Sequence, residues 1–214
     1  MNAIRCSSPD NLTKEILVET KTWLSLISGL FSAGAYLPYI IAILRKDSTV
    51  RPNRASWFTW WVIDVSTVAA LWAASSYGAL PIFFAFSIGS TYILYLSIKR
   101  GEGGFEPLDL GCIATALVGV VLWLKSGNPT LAVVALMTSA IAATLPTIKK
   151  SWLNPESEDA VTWRLFATGG FFAILAIGDK SFVAVAPPVN VFFLQIMIVL
   201  PLGVHTFRSG RAGS

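Results

Sequence analysis

Residues 23–44 read WLSLISGLFSAGAYLPYIIAIL and residues 130–148 read TLAVVALMTSAIAATLPTI. Neither stretch carries a charge, and each matches the roughly 20 apolar residues a helix needs to cross the hydrocarbon core of a bilayer. Each also holds a proline near its end, Pro38 or Pro146, and then turns basic, at Arg45-Lys46 or Lys149-Lys150. Working outward from this pair, five further apolar runs fill the rest of the chain, so the expected spans are Trp23 to Leu44, Ser56 to Tyr77, Leu80 to Ile98, Leu108 to Leu124, Thr130 to Ile148, Val161 to Gly178 and Val189 to Phe207. Helices satisfy their own backbone hydrogen bonds, and the period-2 pattern of membrane strands is absent. The expectation is an all-α membrane protein of seven transmembrane helices. The joint between the second and third runs is tight and makes those helices antiparallel neighbours.

Composition supports that reading. The 214 residues are 54% hydrophobic and only 13% charged, with a mean hydropathy of +0.65. A water-soluble domain carries about a quarter of its residues as charges, so lipid is the expected solvent. The net charge of +4 is dispersed over loops and ends, without the basic face that nucleic acid would need. Cys6 and Cys112 form no CxxC pair and no disulfide framework. Acids and bases alternate through residues 1–22, unlike a cleaved leader, so the first span is expected to be retained.

Lysine and arginine are unequally shared. Eleven of the 16 fall after the first, third, fifth and seventh runs, and five on the other side: Arg5, Lys14, Lys21, Lys125 and Lys180. The positive-inside rule then places the C-terminus in the cytoplasm and the N-terminus outside it, as in a bacterial inner membrane.

The two opening stretches also begin a repeat. Ala35-Tyr36-Leu37-Pro38, a basic loop and Ser56-Trp57 return as Ala143-Thr144-Leu145-Pro146, Lys149-Lys150 and Thr162-Trp163, at offsets of 106 to 108 residues. Ala79-Leu80-Pro81 aligns with Ala186-Pro187-Pro188, and Arg100 with Arg208. The chain therefore divides into a polar segment 1–22, a three-helix repeat 23–98, a linker helix with its loops 99–129, a second repeat 130–207 and a tail 208–214. With one helix between them the halves run in the same direction, related by an axis along the membrane normal.

Tyr36-Leu37-Pro38-Tyr39 before Arg45-Lys46, Thr144-Leu145-Pro146-Thr147 before Lys149-Lys150, and the three-one-three layout over residues 23–207 together resemble the PQ-loop proteins, which include the SWEET sugar transporters. The glutamine that names that motif is replaced by Tyr39 in one copy and Thr147 in the other. Nicotinamide riboside carriers and the ER retention receptor have a similar helix plan. The resemblance implies a small-molecule transporter in which Pro38 and Pro146 act as hinges for rocking halves. Proline in any case removes a backbone donor and loosens the turn before it.

Asp64 is the only acid in the interior of any span. An ionisable group at that depth costs on the order of 3 kcal/mol and marks a functional site by default, here for proton coupling or for substrate. The repeat offset sets Gly170 opposite it, so one carboxylate, not a pair, would line the route. Trp57, Trp60, Trp61, Asp64 and Thr67 recur at helical spacings. Trp57 and Trp163 read as interfacial anchors, leaving Trp60 or Trp61 to face a cavity. Ser87, Ser90 and Thr91 in the third span, and Asn190 and Gln195 in the seventh, are polar groups at depths where each needs a partner or a ligand. Gly111, Thr115 and Gly119 form a ridge for close packing of the linker helix.

The expectation is a carrier for a small polar metabolite (a sugar, an amino acid or a nucleoside-like compound) working by alternating access, with Asp64, Trp60, Trp61, Ser87, Asn190 and Gln195 at the site. A ligand-binding receptor or sensor on the same fold is the alternative. No enzyme is expected: the lone histidine, His205, sits at the end of the last span and there is no HExxH pair. No cofactor or metal is implied, retinal is excluded because the last span lacks a lysine, and the carrier could act as a monomer or a homo-oligomer in the lipid bilayer.

Overall fold

The computed structural model describes residues 9–46, 49–103 and 106–212. Cys6 lies outside the described residues, as do the side chains of Cys112, Pro146, Arg208 and Arg211. Seven α-helices account for nearly all of it: α1 Pro9–Leu44, α2 Arg54–Ala73, α3 Leu80–Arg100, α4 Pro107–Ser126, α5 Pro129–Leu153, α6 Ala160–Leu175 and α7 Phe182–Ala212. Among the described residues there is no strand, only an isolated bridge between Asn53 and Glu102.

Local chemistry explains where the helices begin. Asn53 accepts from the Ser56 amide at 2.9 Å to open α2, Asn128 from the Thr130 amide at 2.9 Å to open α5, and Asp159 from the Thr162 amide at 2.7 Å to open α6. These are side-chain caps for amides that have no partner inside the helix.

Several ends differ from the sequence expectation. The first helix starts at Pro9 rather than Trp23, so residues 9–22, expected as a polar segment, extend α1 to 36 residues, about 54 Å at 1.5 Å per residue. α2 stops at Ala73 rather than Tyr77, because Ser75 takes a left-handed φ of 54° and Ser76 N–H bonds back to Leu71 O at 2.9 Å. That is a Schellman-type end with serine in the place glycine usually takes. α6 ends three residues before the expected Gly178. α7 starts at Phe182, not Val189, since Asp179 and Ser181 cap it and Pro187 and Pro188 lie within the helix.

Among the described residues, four helices, α1, α3, α5 and α7, are long and apolar enough to cross a membrane. α6, at 16 residues, spans about 24 Å. α2 is long enough but carries Asp64, four tryptophans and several hydroxyls, which lower its hydropathy. Large apolar side chains point outward, among them Leu30 and Ile88, each 71% exposed. Such a surface is compatible with an integral membrane protein.

The packing has a simple order. α1 packs on α3, α3 on α2, α2 on α5, α5 on α7, α7 on α6, and α6 returns to α1. Six helices thus close a ring, while α4 lies outside it against α2 and α5. Close approaches are made over glycine: a Cβ on Gly89 would fall 2.1 Å from the Tyr36 ring, and one on Gly169 would fall 2.3 Å from Ser32 Oγ.

Candidate functional site

A cavity of about 80 Å³ lies at the centre of the ring. α2 supplies Trp57, Trp60, Ile63 and Asp64; α1 supplies Tyr36; α3 supplies Phe83 and Phe86. From the other side come Ala140 and Thr144 on α5, Trp163 and Phe166 on α6, and Gln195 with its apolar neighbours on α7. The aromatic rings touch in series: Trp57–Trp60 at 5.1 Å, Trp60–Trp163 at 6.1 Å, Trp163–Phe166 at 5.8 Å, Phe166–Tyr36 at 4.9 Å and Phe166–Phe86 at 5.5 Å. Mostly edge-to-face, they wall the cavity with rings whose geometry is fixed by their neighbours.

Asp64 is 8% exposed and is the one charged side chain on this wall. Ser90 of α3 is its polar neighbour, and the Ser90 hydroxyl donates to Ser87 O at 3.4 Å. Gln195 Oε1 is buried without a hydrogen-bond partner. Three other polar groups of the wall are engaged: Tyr36 donates to Phe86 O at 3.2 Å, Thr144 to Ala140 O at 2.7 Å and Trp163 Nε1 to Glu158 Oε2 at 2.9 Å.

Of the residues singled out from sequence, the fold brings Asp64, Trp60 and Gln195 to one cavity. Asn190 lines a smaller adjoining void with Thr67 and Met137, and its Nδ2 donates to Met137 O at 3.4 Å. Trp61 points away, its Nε1 bonded to Thr91 Oγ1 at 2.9 Å, and Ser87 donates within its own helix to Phe83 O at 2.9 Å. Trp57 and Trp163, expected as lipid-interface anchors, are instead 4% and 3% exposed and form part of the cavity wall. Their matched places in the two halves were the available signal. α1 passes through Pro38 as one helix. Gly170, the position opposite Asp64, lies 3.1 Å by its Cβ direction from Phe192 of α7 and is outside the cavity wall.

Beyond each end of the cavity lie contacts between elements far apart in sequence. At the basic end, beyond Trp57, Trp60 and Trp163, lies a polar pocket of about 70 Å³. There Lys150 Nζ stands 3.2 Å from Glu158 and 3.8 Å from Glu102, and donates to Arg51 O at 3.4 Å. Burial pushes the Glu158 carboxyl up from its ordinary value, against the opposing pull of Lys150 and of the Trp163 N–H. At the far end Ser76 Oγ donates to Asp179 Oδ2 at 3.2 Å, Ser25 Oγ to Gly78 O at 2.6 Å, and Lys21 Nζ to Ile177 O. Hydrogen bonds from the Ser181 side chain and backbone, and from Ser76, hold Asp179 below the usual carboxylate range.

Among the described residues, no cluster of three or more His, Cys, Asp or Glu side chains could hold a metal ion. No family model matches the chain, and neither a curated protein nor a solved structure is found similar to it.

Proposed function

We propose that the protein is a membrane carrier for a small polar metabolite, working by alternating access between two three-helix halves, α1–α3 and α5–α7, with α4 as the linker. The observation that carries this reading is the central cavity, which holds the Asp64 carboxyl group and is walled by side chains from both halves. A cavity between two halves, with contacts across the halves beyond each end, is an arrangement that a carrier can open in turn.

The packing order supports two equivalent halves. α3 lies between α1 and α2, α7 lies between α5 and α6, and the halves meet through α1 on α6 and α2 on α5. Exchanging α1, α2 and α3 for α5, α6 and α7 leaves that order unchanged, as the PQ-loop resemblance implies. In this reading the basic end faces the cytoplasm, Pro38 and Pro146 ease the rocking of the halves, and Asp64 couples a proton or holds the substrate.

Uptake of labelled metabolites into proteoliposomes tests the proposal. Saturable flux that is lost in Asp64→Asn supports it. Saturable binding with no flux over a broad panel would overturn it in favour of a receptor on the same fold. Flux in wild type and Asp64→Asn alike, unchanged by a pH jump, would remove the coupling role of Asp64.

A further inference from the structure

The chemistry of the cavity wall narrows the ligand class. Its one acid side chain is Asp64, and Gln195 Oε1 is an acceptor left without a partner. The hydroxyls of Tyr36 and Thr144 and the N–H of Trp163 already point at protein acceptors. Trp60 lies between Trp57 at 5.1 Å and Trp163 at 6.1 Å, on the same wall as Asp64. The site therefore joins the Asp64 carboxyl group, the unpartnered Gln195 Oε1 and a set of π faces, an arrangement that suits an N–H donor bearing positive charge.

The geometry points to a small organic ammonium ion, with at least one N–H and no carboxylate, as the ligand of the central cavity. This rests on the reading of that cavity as the carrier's binding site. An amino acid fits poorly, because its carboxylate would find no cation: Lys150 belongs to the neighbouring pocket, where Glu158 and Glu102 hold it. A neutral sugar fits less well, since it would bring no countercharge to the Asp64 carboxylate. A cation inside this shell instead meets a carboxylate, an open carbonyl oxygen and aromatic faces, away from competing water. The cavity of about 80 Å³ restricts the alkyl part to a few carbons.

The test uses the full chain in nanodiscs and equilibrium dialysis with labelled propylammonium, with empty nanodiscs as the baseline. Propylammonium is expected to bind saturably. Unlabelled 1-propanol, the neutral counterpart, and β-alanine, which adds a carboxylate, are expected to compete at least about 10-fold more weakly. Asp64→Asn and Trp60→Leu should each weaken binding by about 10-fold or more, while Trp152→Leu, on an exposed part of α5, should not. If Asp64→Asn does not fold, as judged by circular dichroism and gel filtration, Trp60→Leu carries the test. Equal competition by 1-propanol or β-alanine, or full binding in the folded cavity variants, overturns the assignment. Proteoliposome flux separates this from the carrier reading. Propylammonium bound but never carried leaves the ligand class standing and sinks the carrier, whereas a neutral sugar carried with propylammonium inert does the reverse.

Discussion

Gly89→Ala puts a methyl group where the structure has no space for one. The new Cβ would sit 2.1 Å from Tyr36 Cε2 and 2.3 Å from two further ring atoms. The ring cannot swing away, because Phe166 stands 4.9 Å behind it and Trp57 6.3 Å beside it. Either α1 and α3 separate or Tyr36 leaves its rotamer and loses its 3.2 Å bond to Phe86 O. Overpacking of this kind costs about 1–3 kcal/mol, and the hydrogen bond adds about 1 kcal/mol. At roughly 2–4 °C per kcal/mol for a chain of this size, the melting temperature of purified protein should fall by about 5–15 °C. The double variant Gly89→Ala/Tyr36→Leu removes the obstructing ring edge, so its loss should be smaller than the sum of the two single losses by at least about 1 kcal/mol. A Gly89→Ala protein that melts within about 2 °C of wild type, or a double variant that is simply additive, would refute the packing argument on which the cavity wall depends.

The basic-end contacts make a pH-dependent prediction. Because Glu158 has a raised value in the fold, its contribution to stability is present below about pH 4.5 and is lost as pH rises through the raised value. Glu158→Gln should therefore melt like wild type near pH 4.5 and above it at neutral pH, and thermal melts across that window check the sign. Lys150→Met leaves the same carboxylate buried and unpaired, a change that costs about 3–5 kcal/mol for a fully buried pair and less here, since Lys150 is 25% exposed. Pairing Lys150→Met with Glu158→Gln should recover most of the loss. At the α1–α6 crossing Ser32 Oγ is buried with no partner, so Ser32→Ala should be neutral or stabilising by up to about 1 kcal/mol, read from the same melts.

The sequence made the presence of the helices legible and left several ends hidden, for reasons visible at particular residues. Low charge and run length mark the apolar stretches, but nothing in Ser75 announces a left-handed φ, so α2 reads four residues too long. Pro187-Pro188 looks like a helix start, yet the cap at Asp179 and Ser181 begins α7 before it. Alternating charges at Lys14, Glu15, Glu19 and Lys21 read as a polar tail and prove to belong to α1, with the first three exposed and Lys21 bonded to Ile177 O. In the cavity, Asp64 stands out because an acid among apolar residues is costly to bury. Trp60 and Trp61 could not be told apart, since neighbours on a helix point about 100° apart and only packing decides which faces inward. Trp57 and Trp163 were hidden by the general habit of tryptophan to sit at membrane interfaces. Glu158 gave no signal at all, because its burial comes from a loop folding beneath Lys150 and Trp163.

The central claim, a cavity opened in turn to each side by two moving halves, is tested most directly by reagent access. In a background without Cys6 and Cys112, Ala140→Cys places one thiol on the cavity wall, and Ser76→Cys with Asp179→Cys allows the far end to be locked by oxidation where those side chains now meet at 3.2 Å. With the lock reduced, a membrane-impermeant thiosulfonate should label the cavity thiol from either face of the membrane. With the lock oxidised, it should label from the basic face alone. Labelling from both faces despite the lock, or from neither face in the unlocked protein, would contradict the account.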